Sequence, residues 1–93
     1  MECMKQLQRI FKVLGNPRRL AMVELLLRRK ELSVGVIAKV MGLSYTATSR
    51  HLGAIANVDI LEKRQEGLTV YYRVGDATTS MLRDVIQLIR RQS

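Results

Sequence analysis

Leu7, Ile10, Phe11 and Leu14 recur at i, i+3, i+4 and i+7, a spacing that predicts an amphipathic helix over 4–14. Gly15 stops it, and Asn16-Pro17 restarts the chain with a capping side chain followed by a proline suited to the first helical position. The second helix runs to about Arg29. It is apolar on most sides, at Leu20, Val23, Leu26 and Leu27, so its place is expected at the centre of the fold. Ser33 can cap a short third helix that buries Ile37 and Met41, and Gly42 ends it in the left-handed region. Ser44 caps a fourth helix, to about Ala56. The three-residue break Gly42-Leu43-Ser44 between the two reads as a helix-turn-helix.

After Asp59 the period changes from helical to two. In "ILEKRQEGLTVYYRV", Val70, Tyr72 and Val74 share one face and Thr69, Tyr71 and Arg73 the other, with Glu66-Gly67-Leu68 supplying the turn. Asp76 then caps a last helix striped by Met81, Leu82, Val85, Ile86 and Ile89, with Leu88 beside it. The expected architecture is mainly α with a β-hairpin wing, a winged helix-turn-helix in the order α-α-α-α-β-β-α. With no repeats, low-complexity tracts or linker, residues 1–93 form one domain.

The fourth helix, "LSYTATSRHL" and its continuation, carries an unusual polar face. At about 100° per residue, Tyr45, Thr46, Ser49, Arg50 and Gly53 fall within one arc, while Ala47, Thr48, His51, Leu52 and Ile55 turn toward the core. The exposed arc holds one long cation, three hydroxyls, a glycine and no carboxylate. Such a face suits the major groove: arginine binds guanine O6 and N7 bidentately, and hydroxyls bond base edges or phosphates. The helix N-terminus adds free N–H groups that favour a phosphate.

Composition narrows the partner. The net charge of +8 points to a polyanion, and nucleic acid fits better than a membrane surface because no helix is both amphipathic and Lys-rich on one face. No apolar run approaches the ~18 residues a membrane span needs, so the chain is expected to be cytoplasmic. Cys3 is the single cysteine, which excludes an internal disulfide, and the single histidine, His51, has no partner for a Cys–His zinc site. His51 reads as a structural histidine. With no Ser–His–Asp or Cys–His set and no glycine-rich phosphate loop, the chain is not expected to be an enzyme or to need a cofactor. Cys3 reads as a free thiol near the terminus; a Cys3–Cys3 pair across a dimer axis, responsive to oxidants, is the alternative.

These segments together resemble the ArsR family of winged-helix regulators: "LGNPRRLAMVELL" at the second helix, "LSYTATSRHL" at the recognition helix and "ILEKRQEGLTVYYRV" at the wing. The resemblance covers roughly residues 7–90. It implies a symmetric dimer, held by the first and last helices, that represses transcription by occupying an operator. Many members sense a metal through two cysteines at the third helix, where this chain has Ser33 and Gly35. Another site uses Asp and His of the last helix with His and Glu of the partner, and this last helix has Asp76 and Asp84 but neither His nor Glu. Metal sensing through either site is therefore not expected. Where relatives have glycine after the recognition helix, this chain has Asp59, which tolerates the left-handed region.

A dimer also follows from the residues themselves. The stripe on the last helix has no obvious place in a core filled by helices two to four, and the first helix adds Met4, Leu7 and Phe11. The expected dimer contacts are these three with Met81, Leu82, Val85, Ile86 and Ile89. The expected contacts to double-stranded DNA are Ser44, Tyr45, Thr46, Ser49 and Arg50, with Arg50 as main base reader, and Lys63, Arg64, Gly67 and Thr69 of the wing. Glu62 and Glu66 count against close approach of the wing to phosphates. Arg18 and Arg19 could contact phosphates or pair within the protein. Two other readings stay open: a winged-helix protein-interaction module, and a metal- or redox-responsive repressor with an atypical site. The effector, if there is one, is unknown.

Overall fold

Capping side chains set the helix boundaries of the first half of the chain. In the computed structural model, which describes residues 2–92 (Glu2 by its backbone alone), α1 spans Glu2–Leu14 and α2 spans Pro17–Arg29. Asn16 Oδ1 accepts from the backbone N–H of Arg18 at 3.0 Å and of Arg19 at 3.2 Å, satisfying two donors that α2 cannot bond internally. Ser33 Oγ does the same for Val36 at the head of α3 (Val34–Met41), and Ser44 Oγ for Ala47 at the head of α4 (Tyr45–Ala56). Gly42 sits at φ 67°, ψ 33°, and Leu43 N–H returns to the Ala38 carbonyl at 3.0 Å, the glycine-terminated helix end that lets α4 start three residues later.

Between α2 and α3 lies an element that the sequence pattern did not predict. Glu31–Ser33 forms a short strand, β1, so the order is α-α-β-α-α-β-β-α and the wing is a three-stranded antiparallel sheet with β3 in the middle. Three residues are too few to display a period-two alternation, and the last of them is already the cap of α3. The chain enters β1 through Lys30 at φ 70°, ψ −72°, one of two non-glycine residues with positive φ among those described; the other is Asp59, at φ 61°.

β2 (Leu61–Glu66) and β3 (Thr69–Val74) pair in a register that sets Lys63 opposite Tyr72 and Arg64 opposite Tyr71. Their two-residue turn is Gly67-Leu68. Only Gly67 has positive φ (61°), the pattern of a turn that needs glycine first and accepts most residues second. Alternation gives the sheet two distinct faces. Leu61, Tyr72 and Val74 pack inward, while Glu31, Glu62, Arg64, Glu66 and Arg73 lie on the outer face.

Met22 and Leu26 of α2, Ile37 of α3, Leu52 and Ile55 of α4 and Ile60 before β2 are the largest wholly buried side chains. Leu20 does not join them. It is half exposed near the start of α2.

α5 (Asp76–Gln92) is attached differently from the other helices. None of its residues is buried. Leu82 and Ile86 lean on the core, whereas Met81, Val85, Leu88 and Ile89 face outward, so the stripe seen in the sequence is divided between two surfaces. Arg83 Nη2 donates to the Leu27 carbonyl at 3.2 Å, tying α5 to the last turn of α2. Asp76 is the first helical residue and not the cap. Thr79 N–H bonds the Gly75 carbonyl, which makes Gly75 the residue before the helix, and the Asp76 carboxylate accepts from Arg73 at 2.7 Å.

Candidate nucleic-acid interface

The outer face of α4 keeps the character read from the sequence. Tyr45, Thr46 and Arg50 are exposed, Ser49 and Gly53 half-buried, and the opposite side buries Thr48, Leu52 and Ile55. No carboxylate lies on this helix. A Cβ built at Gly53 would meet open space, so the fold does not demand glycine there; its effect is to leave the outer face low. Because Ser44 Oγ takes only the Ala47 N–H, the amides of Tyr45 and Thr46 still lack intrahelical acceptors and point out of the helix N-terminus. The Ser44 hydroxyl also keeps its own proton to donate. This end of α4 can therefore bond an anion through backbone and side chain together.

The inner side of α4 holds one polar surprise. Thr48 is wholly buried, and its Oγ1 has no hydrogen-bond partner. His51 is half-buried, and its Nδ1 accepts from Arg19 Nε at 3.3 Å, which links the first turn of α2 to the recognition helix. The two residues are 32 positions apart, and no local pattern announces their meeting. For Arg19, intramolecular pairing is thus the observed state, while the Arg18 side chain is exposed.

Burial, and then the nearby charges of Arg19, Arg18 and Arg50, push the His51 pKa down. The unfolded chain takes up that proton near about pH 6.5, the folded protein only at lower pH. The stability carried by neutral His51 is whole above about 6.5 and is lost as pH falls through the depressed folded value. Urea unfolding at pH 7.5 and 5.5 should show a loss in the parent that His51→Gln escapes, since glutamine keeps an acceptor for Arg19 without titrating. Equal losses in both proteins would remove His51 as the cause.

The wing behaves differently from its sequence. Arg64 donates to Glu31 at 2.8 Å and to Glu66 at 2.7 Å, and its guanidinium lies 4.4 Å from the centre of the Tyr71 ring. Hydrogen bonding from Arg64, and then the charges of Arg64 and Arg73, hold the Glu31 carboxyl below its ordinary range. Arg73 bridges Glu62 at 2.6 Å and Asp76 at 2.7 Å. Bonds to Asp76 and Glu62 raise the Arg73 pKa, so it stays cationic throughout. The acids Glu62 and Glu66 are therefore each paired within the sheet, although two arginines offset only part of the charge of four carboxylates. The same pairing occupies Arg64, a residue expected to touch DNA. Lys63 lies on the opposite, core-packed face of the sheet, exposed beyond Leu61, while Thr69 lies with Arg64; the structure does not bring Lys63, Arg64 and Thr69 together. Gly67 and Leu68 form the tip, where Leu68 is 98% exposed.

Where the resemblance places a pair of metal-binding cysteines, this chain has two residues without a thiol. Ser33 spends its oxygen capping α3, Gly35 opens to solvent, and among the described residues no three His, Cys, Asp or Glu side chains come together. Cys3 is exposed on α1.

Comparison with known proteins identifies the constellation. Residues 16–63, just over half the chain, match the family described as bacterial regulatory protein, arsR family. The HTH-type transcriptional regulator Rv0324 of Mycobacterium tuberculosis is 33% identical over 84 residues, 90% of this chain and 37% of that protein. The cadmium resistance transcriptional regulatory protein CadC of Listeria innocua is 34% identical over 62 residues, 67% of this chain and 52% of that protein. The chain thus spans between about a third and a half of the length of these relatives. Among solved structures, the homodimeric winged helix-turn-helix DNA-binding domain of Mb0332 from Mycobacterium bovis superposes with a TM-score of 0.85 at 31% identity, covering 98% of this chain and 83% of that one. With the winged helix-turn-helix fold and the matched segment in agreement, the chain belongs to the arsR family of bacterial regulatory proteins.

Proposed function

We propose that the chain is a dimeric transcriptional repressor that occupies an inverted-repeat operator, each protomer laying α4 in the major groove. The observation that carries this reading is the outer face of α4: exposed Tyr45, Thr46 and Arg50 above a capped N-terminus, with no acid on the helix. Arg50 reads a guanine edge. Tyr45, Thr46 and Ser49 make mixed base and phosphate contacts, and Ser44 with the free amides of the first turn receives a phosphate. Lys63, Gly67 and Thr69 meet the flanking backbone, and Arg64 joins them only by exchanging Glu66 for a phosphate.

Dimerisation through α1 and α5 is supported by their exposed apolar residues, Met4 (67%), Phe11 (66%) and Ile89 (61%) foremost. Leu7, Met81 and Val85 complete that surface, while Leu82 and Ile86 support it from behind. A two-fold axis would set the two α4 helices about 34–36 Å apart on one face of DNA. The protein acts by binding, without a catalytic step. Among the described residues no helix is long and apolar enough to cross a membrane, in keeping with action on operator DNA in the cytoplasm.

Selection of genomic fragments against scrambled competitor tests the reading. An inverted repeat bound about 10³-fold or more above competitor is expected. Arg50→Ala should then cost about 1–3 kcal/mol in operator binding and relax preference at one position of each half-site. Binding that ignores sequence, in parent and variant alike, would turn the search toward protein partners.

A further inference from the structure

α2 and α5 enclose a groove of ≈ 380 Å³ on the side of α5 away from its exposed apolar stripe. At about 100° per residue, Arg83 and Arg90 point roughly 140–160° from the mean direction of Met81, Val85 and Ile89. The groove therefore stays open if the stripe is covered by a second copy. Leu27 and Ile86 give it apolar walls. Arg28, Arg83 and Arg90 line it against one carboxylate, Glu24, a local charge of 3 − 1 = +2. Among the described residues none of these three arginines is in an ion pair, in contrast to Arg64 and Arg73 on the wing. Arg83 spends one N–H on the Leu27 carbonyl at the groove floor.

We propose that this groove is an effector site for a small amphipathic carboxylate, its apolar body against Leu27 and Ile86 and its carboxylate on the arginines. Guanidinium and carboxylate match as a two-pronged, charge-assisted pair, and apolar walls with a few convergent donors are the usual make-up of a small-molecule pocket. Glu24 disfavours a second anionic group. Binding has a built-in consequence. The carboxylate competes with the Leu27 carbonyl for Arg83, and beyond the bonds of Asp76 and Thr79 at its N-terminus α5, with no buried residue, is held to the core by the packing of Leu82 and Ile86. The ligand thus shifts α5 relative to α2, changes the spacing of the two reading helices, and alters operator affinity by the reciprocal coupling that links any two such sites. The binding step stands on the groove alone; the effect on DNA rests on the repressor reading.

The test follows arginine Nε–H resonances of the full-length ¹⁵N-labelled protein during titration with octanoate, with acetate and inorganic phosphate as comparison arms. Saturable octanoate shifts concentrated on Arg28, Arg83 and Arg90 are expected. Binding should weaken at least ten-fold in an Arg28→Gln, Arg90→Gln double variant, which leaves the Arg83–Leu27 bond in place. At saturating octanoate, operator affinity should change at least five-fold in the parent and not in the double variant. Shifts spread equally over Arg9, Arg18 and Arg50, or acetate and phosphate acting as strongly as octanoate, would overturn the site. Saturation of the groove with unchanged operator affinity would overturn the effector role. Failure to recover any operator counts against the repressor reading instead, and the resonance titration still decides the site.

Discussion

Leu52→Ala should lower the unfolding free energy by about 3–5 kcal/mol and lower the melting temperature by about 12–40 °C. Leu52 is wholly exposed to the core and not at all to water, in one cluster with Met22, Leu26, Ile37 and Ile55. Truncation removes the transfer free energy of the lost atoms and leaves a cavity that α4, pinned at both ends by Ser44 and the strand that follows, cannot easily close. A domain of this size has about 5–15 kcal/mol in total, so the loss is about a fifth or more of the whole. The same helix carries the proposed reading face, so operator binding should fall with the folded fraction as temperature rises. Leu68→Ala is the matched control. Leu68 is 98% exposed, and its truncation should change stability by less than about 0.5 kcal/mol. Urea unfolding of the three proteins at one fixed concentration checks both numbers, and similar midpoints for parent and Leu52→Ala would contradict the packing described above.

Replacing Val85 and Ile89 together by glutamate should convert the proposed dimer to a monomer and reduce operator affinity by about 10²–10⁴-fold. The two side chains are exposed in one protomer, so the substitutions cost the isolated fold little. Across a two-fold axis each carboxylate appears twice in an apolar contact, and desolvating it there is costly. A single protomer still carries a complete α4, so residual half-site binding should survive. What disappears is the high effective concentration of the second half-site once the first is engaged. Sedimentation at micromolar concentration gives the mass directly. A variant that sediments like its parent would place the dimer contact elsewhere, with the exposed residues of α1 as the next surface to test.

The parts of this fold legible in the sequence were those governed by near neighbours. Ser33, Gly42 and Ser44 fix the helix-turn-helix through contacts spanning at most five residues, and each stands where the pattern put it. The hairpin was equally legible because the alternation of β3 and the turn at Gly67 place the two strands against each other. β1 was not, since its three residues gain their identity as a strand from β3, some forty positions away. Long-range partners were hidden for the same reason. Nothing local in "EKRQE" says that Arg64 will turn to Glu31, or that His51 will accept from Arg19. The stripe on α5 shows a third limit. Periodicity reports that a face is apolar but not which neighbour it meets, and here Leu82 and Ile86 face the core while Met81, Val85 and Ile89 do not.

The paired charges on the outer face of the wing have a consequence for ions in solution. Each phosphate neutralised by a protein cation releases condensed counterions and adds about 0.9 to the slope of log affinity against log salt concentration. Arg64 and Arg73 have already exchanged their counterions for Glu31, Glu66, Glu62 and Asp76 when the protein folds. Of the sixteen lysines and arginines, these two should therefore contribute almost nothing to that slope. Arg64→Gln should leave the slope nearly unchanged, whereas Lys63→Gln should reduce it by about 0.9 per protomer bound. A protein of net charge +8 can thus present DNA with a wing whose outer face is not basic, since its two arginines meet four carboxylates, and its salt response counts only the cations that folding has left for phosphates.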